Sequence, residues 1–362
     1  MSVNIANKVV SSLDQNMVDD EIVDPDFVEK GVVAKRLTKD SFKLIEKYES
    51  DKKIAFIDGG NLEILTAPNF SVHLNRLYAS VWNGVKRQKT KIPRVEYISL
   101  TYTKTEKEKL TYKTEIFPYI EDTRKYLPEQ IDLEFDSFDR TLSRGSERAD
   151  IQFVGTMARK FGEWKFAEIF LDFLDTGDMI VMDGSLQTHY TNEEKYLDKL
   201  KKASISKGII LSALSKTSKQ FTKTGNSLIG SVNNFAKKNK VESEWICQLG
   251  SNEKDDYLIF IIKLSEVLDR VFRFDIQKTQ YLNLNEKEKN MIFTKLIENA
   301  SDATLPGYPY GLIDADRLAR VSNNEIEYYR RLFTAIIKKS GKEAKFMSHL
   351  QAIDTHSMLD NM

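Results

Sequence analysis

The order of elements along this chain predicts a mixed α/β fold: an antiparallel meander followed by parallel strands with helices on both faces, and helical additions at the N- and C-terminal ends. Two apolar runs that each end in Asp-Gly, Lys53–Asp58 and Met179–Asp183, read as buried strands. Between them lie three strand-like runs with short polar links. Behind them, helical periods alternate with apolar runs.

Residues 1–25 are polar and acidic without a clear period, and read as a loose arm. Phe27, Val32, Val33, Leu37, Phe42, Leu44 and Ile45 predict a helix over 26–48, broken at Lys30-Gly31. Lys53–Asp58 then reads as a strand with a turn at Asp58-Gly59-Gly60. Val72–Trp82, Arg94–Thr103 and Leu110–Phe117 form the meander, with the charged link Lys104–Lys109 as a hairpin tip. Residues 119–150 are rich in charge and have no period. A helix is predicted over 151–174, with Phe161 to Phe173 as its core stripe. A strand over 179–183, a helix over 192–203 and a strand over 208–214 follow. The Ser/Thr/Lys/Gly-rich stretch Lys216–Leu228 reads as a mobile loop. Strands at 257–264 and 271–276 and helices at 286–299 and 325–339 complete the chain. This order matches the ribonuclease H-like arrangement. Residues 1–50 are read as arm and helix, 51–340 as one domain and 341–362 as a tail.

Of the 362 residues, Lys+Arg and Asp+Glu are both 54, which excludes a uniformly basic nucleic-acid sleeve. The single Cys247 excludes an intramolecular disulfide framework and a Cys-based zinc ribbon. His73, His189, His349 and His356 share no metal-ligand spacing. No apolar stretch is long enough to span a bilayer, and the first 21 residues show no leader pattern, so a cytoplasmic protein without membrane contact is expected.

Five features carry chemistry. Asp58-Gly59-Gly60-Asn61 places a carboxylate where open α/β sheets bind ligands, or is a plain turn. Asp183-Gly184-Ser185-Leu186 repeats the pattern, and two such carboxylates on adjacent strands suit a hard divalent cation. In the helix before it, either Glu163 or Glu168 faces the sheet end, or both are solvated. Pro306–Arg317 reads as a rigid loop entering a helix, with Asp314 and Asp316 in its first turn as ligands or as dipole partners. There Tyr308 and Tyr310 either stack on bases or pack against the loop. Finally, residues 195–240 carry a net charge of +10 while 121–183 carry −7. That polarity marks either a phosphate-backbone surface beside an acidic pocket or a solvated lysine-rich face.

Phe56-Ile57-Asp58-Gly59-Gly60-Asn61, Gly162-Glu163-Trp164, Val181–Leu186, Leu214-Ser215-Lys216-Thr217 and Gly307-Tyr308-Pro309-Tyr310 with Asp314-Ala315-Asp316 occur in this order. Together they resemble the NurA nuclease family of archaea, over residues 53–340. The resemblance implies a ribonuclease H-fold DNA nuclease that acts as a homodimer with a HerA-type hexameric ATPase in resecting double-strand break ends. It implies Mn²⁺ or Mg²⁺, two ions per site, with Asp58, Glu163, Asp183 and Asp316 as catalytic metal ligands. Asp58 would be shared between the ions. The family's last motif carries a His near the loop–helix junction, and Asp316 stands there in this chain. Lys216, Lys219 and Lys223, with Tyr308 and Tyr310, would hold DNA. Two rivals stand beside this reading: a catalytically lapsed subunit that docks on a DNA translocase, and an actin-like ATPase.

Overall fold

The computed structural model describes residues 3–16, 20–29, 31–303, 305–342, 344–346 and 348–349. His356 and most of the 341–362 tail lie outside them.

The N-terminal segment differs from expectation. The arm contains a helix, α1 (Val3–Asn16), with no buried residue. The helix expected over 26–48 is instead three short strands: β1 (Pro25–Asp26), β2 (Val32–Ala34) and β3 (Phe42–Leu44). β2 and β3 pair antiparallel with a later strand and cap its free edge. Their apolar residues satisfy an edge-strand pattern as readily as a helical one over so short a run, and the open edge decides the outcome.

The meander is β4 (Ile54–Ala67), β5 (Phe70–Asn83), β6 (Lys86–Gln88), β7 (Arg94–Glu106), β8 (Lys109–Pro118) and the short β9 (Phe135–Asp136). Lys107 and Glu108, both at positive φ, turn the β7–β8 hairpin. The turn expected at Asp58-Gly59-Gly60 is absent: β4 runs through it, paired with β5 from Ile54 to Glu63 and, past a register shift at Ile64, from Leu65 to Ala67.

The predicted 151–174 helix is split into α2 (Ile151–Gly155) and α3 (Met157–Phe170). β10 (Met179–Asp183), α4 (Glu194–Lys207) and β11 (Ile210–Ser215) follow. β10 lies parallel to both β4 and β11. The loop expected at 216–228 is tied down. Its β12 (Phe221–Thr222) pairs with β1, and the Asp20 carboxylate accepts hydrogen bonds from Asn226 at 2.9 Å and Ser231 at 2.7 Å. α5 (Leu228–Lys238) and β13 (Trp245–Asn252) had no counterpart in the sequence reading. They are followed by β14 (Tyr257–Lys263), β15 (Val271–Gln277), α6 (Lys278–Asn283), α7 (Glu286–Asn299), α8 (Tyr310–Ala319) and α9 (Asn323–Lys339).

Except for β1 and β12, the strands among the described residues form one sheet, ordered β2-β13-β14-β15-β11-β10-β4-β5-β7-β8-β9, with β3 on β13 and β6 on β5. Only β4, β10 and β11 are mutually parallel. Beyond β11 the sheet is antiparallel again. Strand alternation assigns the two faces. Ala55, Ile57, Ile180 and Met182 join α3 and α4 in one core. Ile54, Phe56, Met179 and Val181 join α7 and α8 in the other. No helix among the described residues is long and apolar enough to cross a membrane.

Candidate metal centre

Strand register builds the site. Ile57 on β4 lies level with Met182 on β10, so Asp58 and Asp183 come next on their strands, side by side. Both have the parity of Phe56 and Val181, and so both project to the α7–α8 face. α8 lies over that face and supplies Asp316. Two glycines let it come close. A Cβ on Gly311 would sit 2.1 Å from the Phe56 ring, and one on Gly60 would sit 2.3 Å from the Ala319 carbonyl. Carboxylate oxygens of Asp58, Asp183 and Asp316 lie within 4.8 Å of one another. They open into a cleft of about 370 Å³, lined also by Arg159 and Arg320.

Burial pushes the Asp58 carboxyl up to about 8, with Asp183 and Glu163 adding to the shift and Lys216 and the Gly59 N–H opposing it. The Gly59 N–H donates to Asp58 Oδ1 at 2.7 Å. For Asp316, burial also disfavours the charge, but Lys216 and Arg320 outweigh it and hold the carboxyl below the usual range. The donor set is all hard carboxylate oxygen and carries three negative charges once Asp58 gives up its proton, which fits Mg²⁺ or Mn²⁺.

Glu163 approaches from the opposite face. It sits on α3 against Gly59, where a Cβ would be 2.5 Å from its Oε1. It pairs with Arg159 and lies outside the three-carboxylate group. Burial raises its pKa, and Arg159 and Lys160 oppose the rise. Glu168 is away from the cleft, paired with Lys165 at 2.9 Å. Asp314 is also elsewhere: it is buried, accepts from Ser80 Oγ at 2.6 Å and pairs with Arg87 at 3.1 Å. The helix dipole does not explain either acid. α8 begins at Tyr310 with Pro309 as its N-cap, which leaves Asp314 and Asp316 beyond the first turn.

The residues expected to hold DNA do not share one surface. Lys216 Nζ sits among the acids, 2.8 Å from Asp183, 2.7 Å from Asp316 and 3.8 Å from Asp58. Lys223 is paired with Asp24 at 2.9 Å, and Lys219 lines a separate cavity with Ser185, His189 and Phe221. At least six of the eleven lysines in 195–240 have acidic partners, among them Lys195, Lys201, Lys207, Lys216, Lys223 and Lys237. Tyr308 is buried against Phe272, and Tyr310 packs edge-on to Trp82. The Tyr308 hydroxyl has no hydrogen-bond partner, and Asp183, Asp58 and Asp316 are the charges that act on it. Sequence reasoning missed Arg159 and Arg320. Arg159 stands one helical turn before Glu163, a spacing that signals an i,i+4 pair.

A family model described as the NurA domain matches residues 52–321. The fold is similar to the crystal structure of the NurA nuclease from Sulfolobus solfataricus, with a TM-score of 0.51 and 14% identity over 94% of this chain and 98% of that one. Argonaute from Aquifex aeolicus aligns with a TM-score of 0.28 and 11% identity over 75% of this chain and 28% of that one, too low to carry an argument. No curated protein matches the sequence.

Proposed function

This chain belongs to the NurA family, and we propose on that footing that it is a DNA nuclease hydrolysing phosphodiester bonds at the Asp58–Asp183–Asp316 cluster. The observation that carries the reading is the convergence of these three carboxylates, from two strands and a helix, at the floor of an open cleft. Asp58, Asp183 and Asp316 would hold the divalent cation, Mn²⁺ or Mg²⁺, and Glu163 would stand beside any second ion. When bound, such ions lower the pKa of water and neutralise charge on the leaving oxygen.

The chain's own groups do the rest. Arg320 is largely exposed and Arg159 partly buried at the cleft, so a backbone phosphate entering there meets two guanidinium groups. The buried Tyr308 hydroxyl is an available donor beside the acids. In the cell we place this activity in the resection of DNA ends, as a cytoplasmic homodimer working with a HerA-type hexameric ATPase.

The test is cleavage of end-labelled single- and double-stranded DNA with Mn²⁺, Mg²⁺ or EDTA, with and without the ATPase. Asp58→Asn or Asp183→Asn should lower the rate by more than about 100-fold, because even outer-shell partners of a metal ligand are worth about 10–100-fold. Unchanged melting temperatures would show that the fold survives. Full activity in either variant would remove the cluster from the reaction. The ammonium seated in the cluster favours a second reading, a subunit that docks on a translocase without cutting. Protein inert on DNA with either ion and with the ATPase present would support that one.

A further inference from the structure

Lys216 lies one residue past β11. On that strand Leu214 stands opposite Asp183, and two residues on the chain returns to the same face. The Lys216 ammonium therefore enters the acid cluster from the third adjacent strand. It lies within 2.7–3.8 Å of all three carboxylates while its side chain stays 36% exposed. An ammonium and a hard divalent cation draw on the same oxygen lone pairs. Held at one point in a shielded pocket, the two would also repel each other strongly.

The surroundings allow Lys216 to leave. Ser215 is anchored by its Oγ, which donates to the Gly184 carbonyl at 2.7 Å. Residues 216–220 have neither helix nor strand, and the next anchor along the chain is Gln220, whose carbonyl accepts from the Leu228 N–H at 3.0 Å and whose side chain donates to Glu29 at 3.0 Å. Lys216 thus sits between a fixed point at Ser215 and that anchor, in a short stretch without regular structure. The ammonium rides on a flexible four-carbon stem.

We propose that Lys216 is a tethered counter-ion: it holds the three carboxylates together when no metal is present, and it is displaced by the divalent cation to face the phosphate in the cleft. This rests on the reading that Asp58, Asp183 and Asp316 bind the cation. Lys216 is then a positioning residue, and it makes metal affinity lower than the three acids alone would give. It also couples metal loading to the arrival of a positive charge where DNA enters.

Two measurements test this. In wild-type protein without DNA, acetylation of lysines by acetic anhydride is read by mass spectrometry with and without Mn²⁺. Labelling of Lys216 should rise several-fold with the ion, while Lys223, held by Asp24, stays constant. Labelling of Lys216 that is unchanged or reduced overturns the proposal. In the second, Lys216→Met keeps the stem and removes the charge. Mn²⁺ titration followed by electron paramagnetic resonance should show binding about tenfold tighter or more, the equivalent of one charge-assisted contact removed from competition. The variant should melt below wild type in EDTA, and the gap should narrow in saturating Mn²⁺. Equal or weaker binding overturns the role of Lys216 alone. If wild-type protein binds no Mn²⁺, or binds it as well after Asp183→Asn, the metal reading falls and the tether with it.

Discussion

Burial holds the Asp58 carboxyl at about 8, where an unfolded Asp titrates at about 3.9. Between those values the folded chain carries a proton that the unfolded chain has lost. This group's contribution to stability therefore falls as pH rises through that window and levels off above it. A cation must expel the same proton. Mn²⁺ uptake at pH 7 should release close to one proton, read by calorimetry in buffers of different ionisation enthalpy, and Asp58→Asn should release none. Uptake by wild type without proton release would mean that Asp58 is already ionised. Asp316 allows a separate test. It is not a helix cap, so Asp316→Asn should weaken Mn²⁺ binding by about tenfold or more. Overlapping titration curves would leave it as a counter-ion to Lys216 and Arg320 and no more.

At the scale of elements, the site depends on how closely α8 lies on β4. Gly60 meets the Ala319 carbonyl and Gly311 meets the Phe56 ring, and neither contact leaves room for a methyl group. Gly60→Ala must push α8 off the sheet, because the opposing atom is backbone. Overpacking of this kind costs about 1–3 kcal/mol. Thermal unfolding should show that loss, and Mn²⁺ affinity should fall with it, since Asp316 moves with α8. Stability lost with affinity intact would show that the cluster does not need the clamp. Gly230→Ala is the contrast. It lies within α5, with its nearest atoms 3.6 Å from an added Cβ, so the change should stabilise by about 0.5–1 kcal/mol.

For the whole molecule, the formal charge is zero, and many of the charges stand in local pairs. The lysine-rich run 195–240 is spread over α4, the β11–α5 connection and α5, and at least six of its lysines answer acids within reach. With these lysines engaged, we expect the cleft rather than this run to meet the DNA backbone. DNA affinity should depend on salt mainly through the cleft. Arg320→Gln should lower the slope of log K against log salt by about 0.9, one phosphate's worth. Lys223→Gln, whose ammonium already has Asp24, should leave the slope unchanged. The opposite result would put the track back on the lysine loop.

Some of this was already determined by the order of residues. Ile54, Phe56 and Asp58 alternate on one strand, Met179, Val181 and Asp183 on another, and a period of two requires each acid to share a face with the apolar residues before it. α7 and α9 were likewise visible from their period, which is a local property. The tertiary structure decided what depends on partners. Phe27 to Ile45 became edge strands because β13 had a free edge. Asp58-Gly59-Gly60 became strand because Tyr78, Leu77 and Arg76 of β5 pair with it residue by residue, with the glycines making room for Glu163 and α8. Lys216 entered the acid cluster because three strands stand in register beneath a helix from 100 residues further along the chain. Spacing along a chain constrains which side chains share a face. Register and docking join residues far apart in sequence, and only the burial of the whole core selects among them.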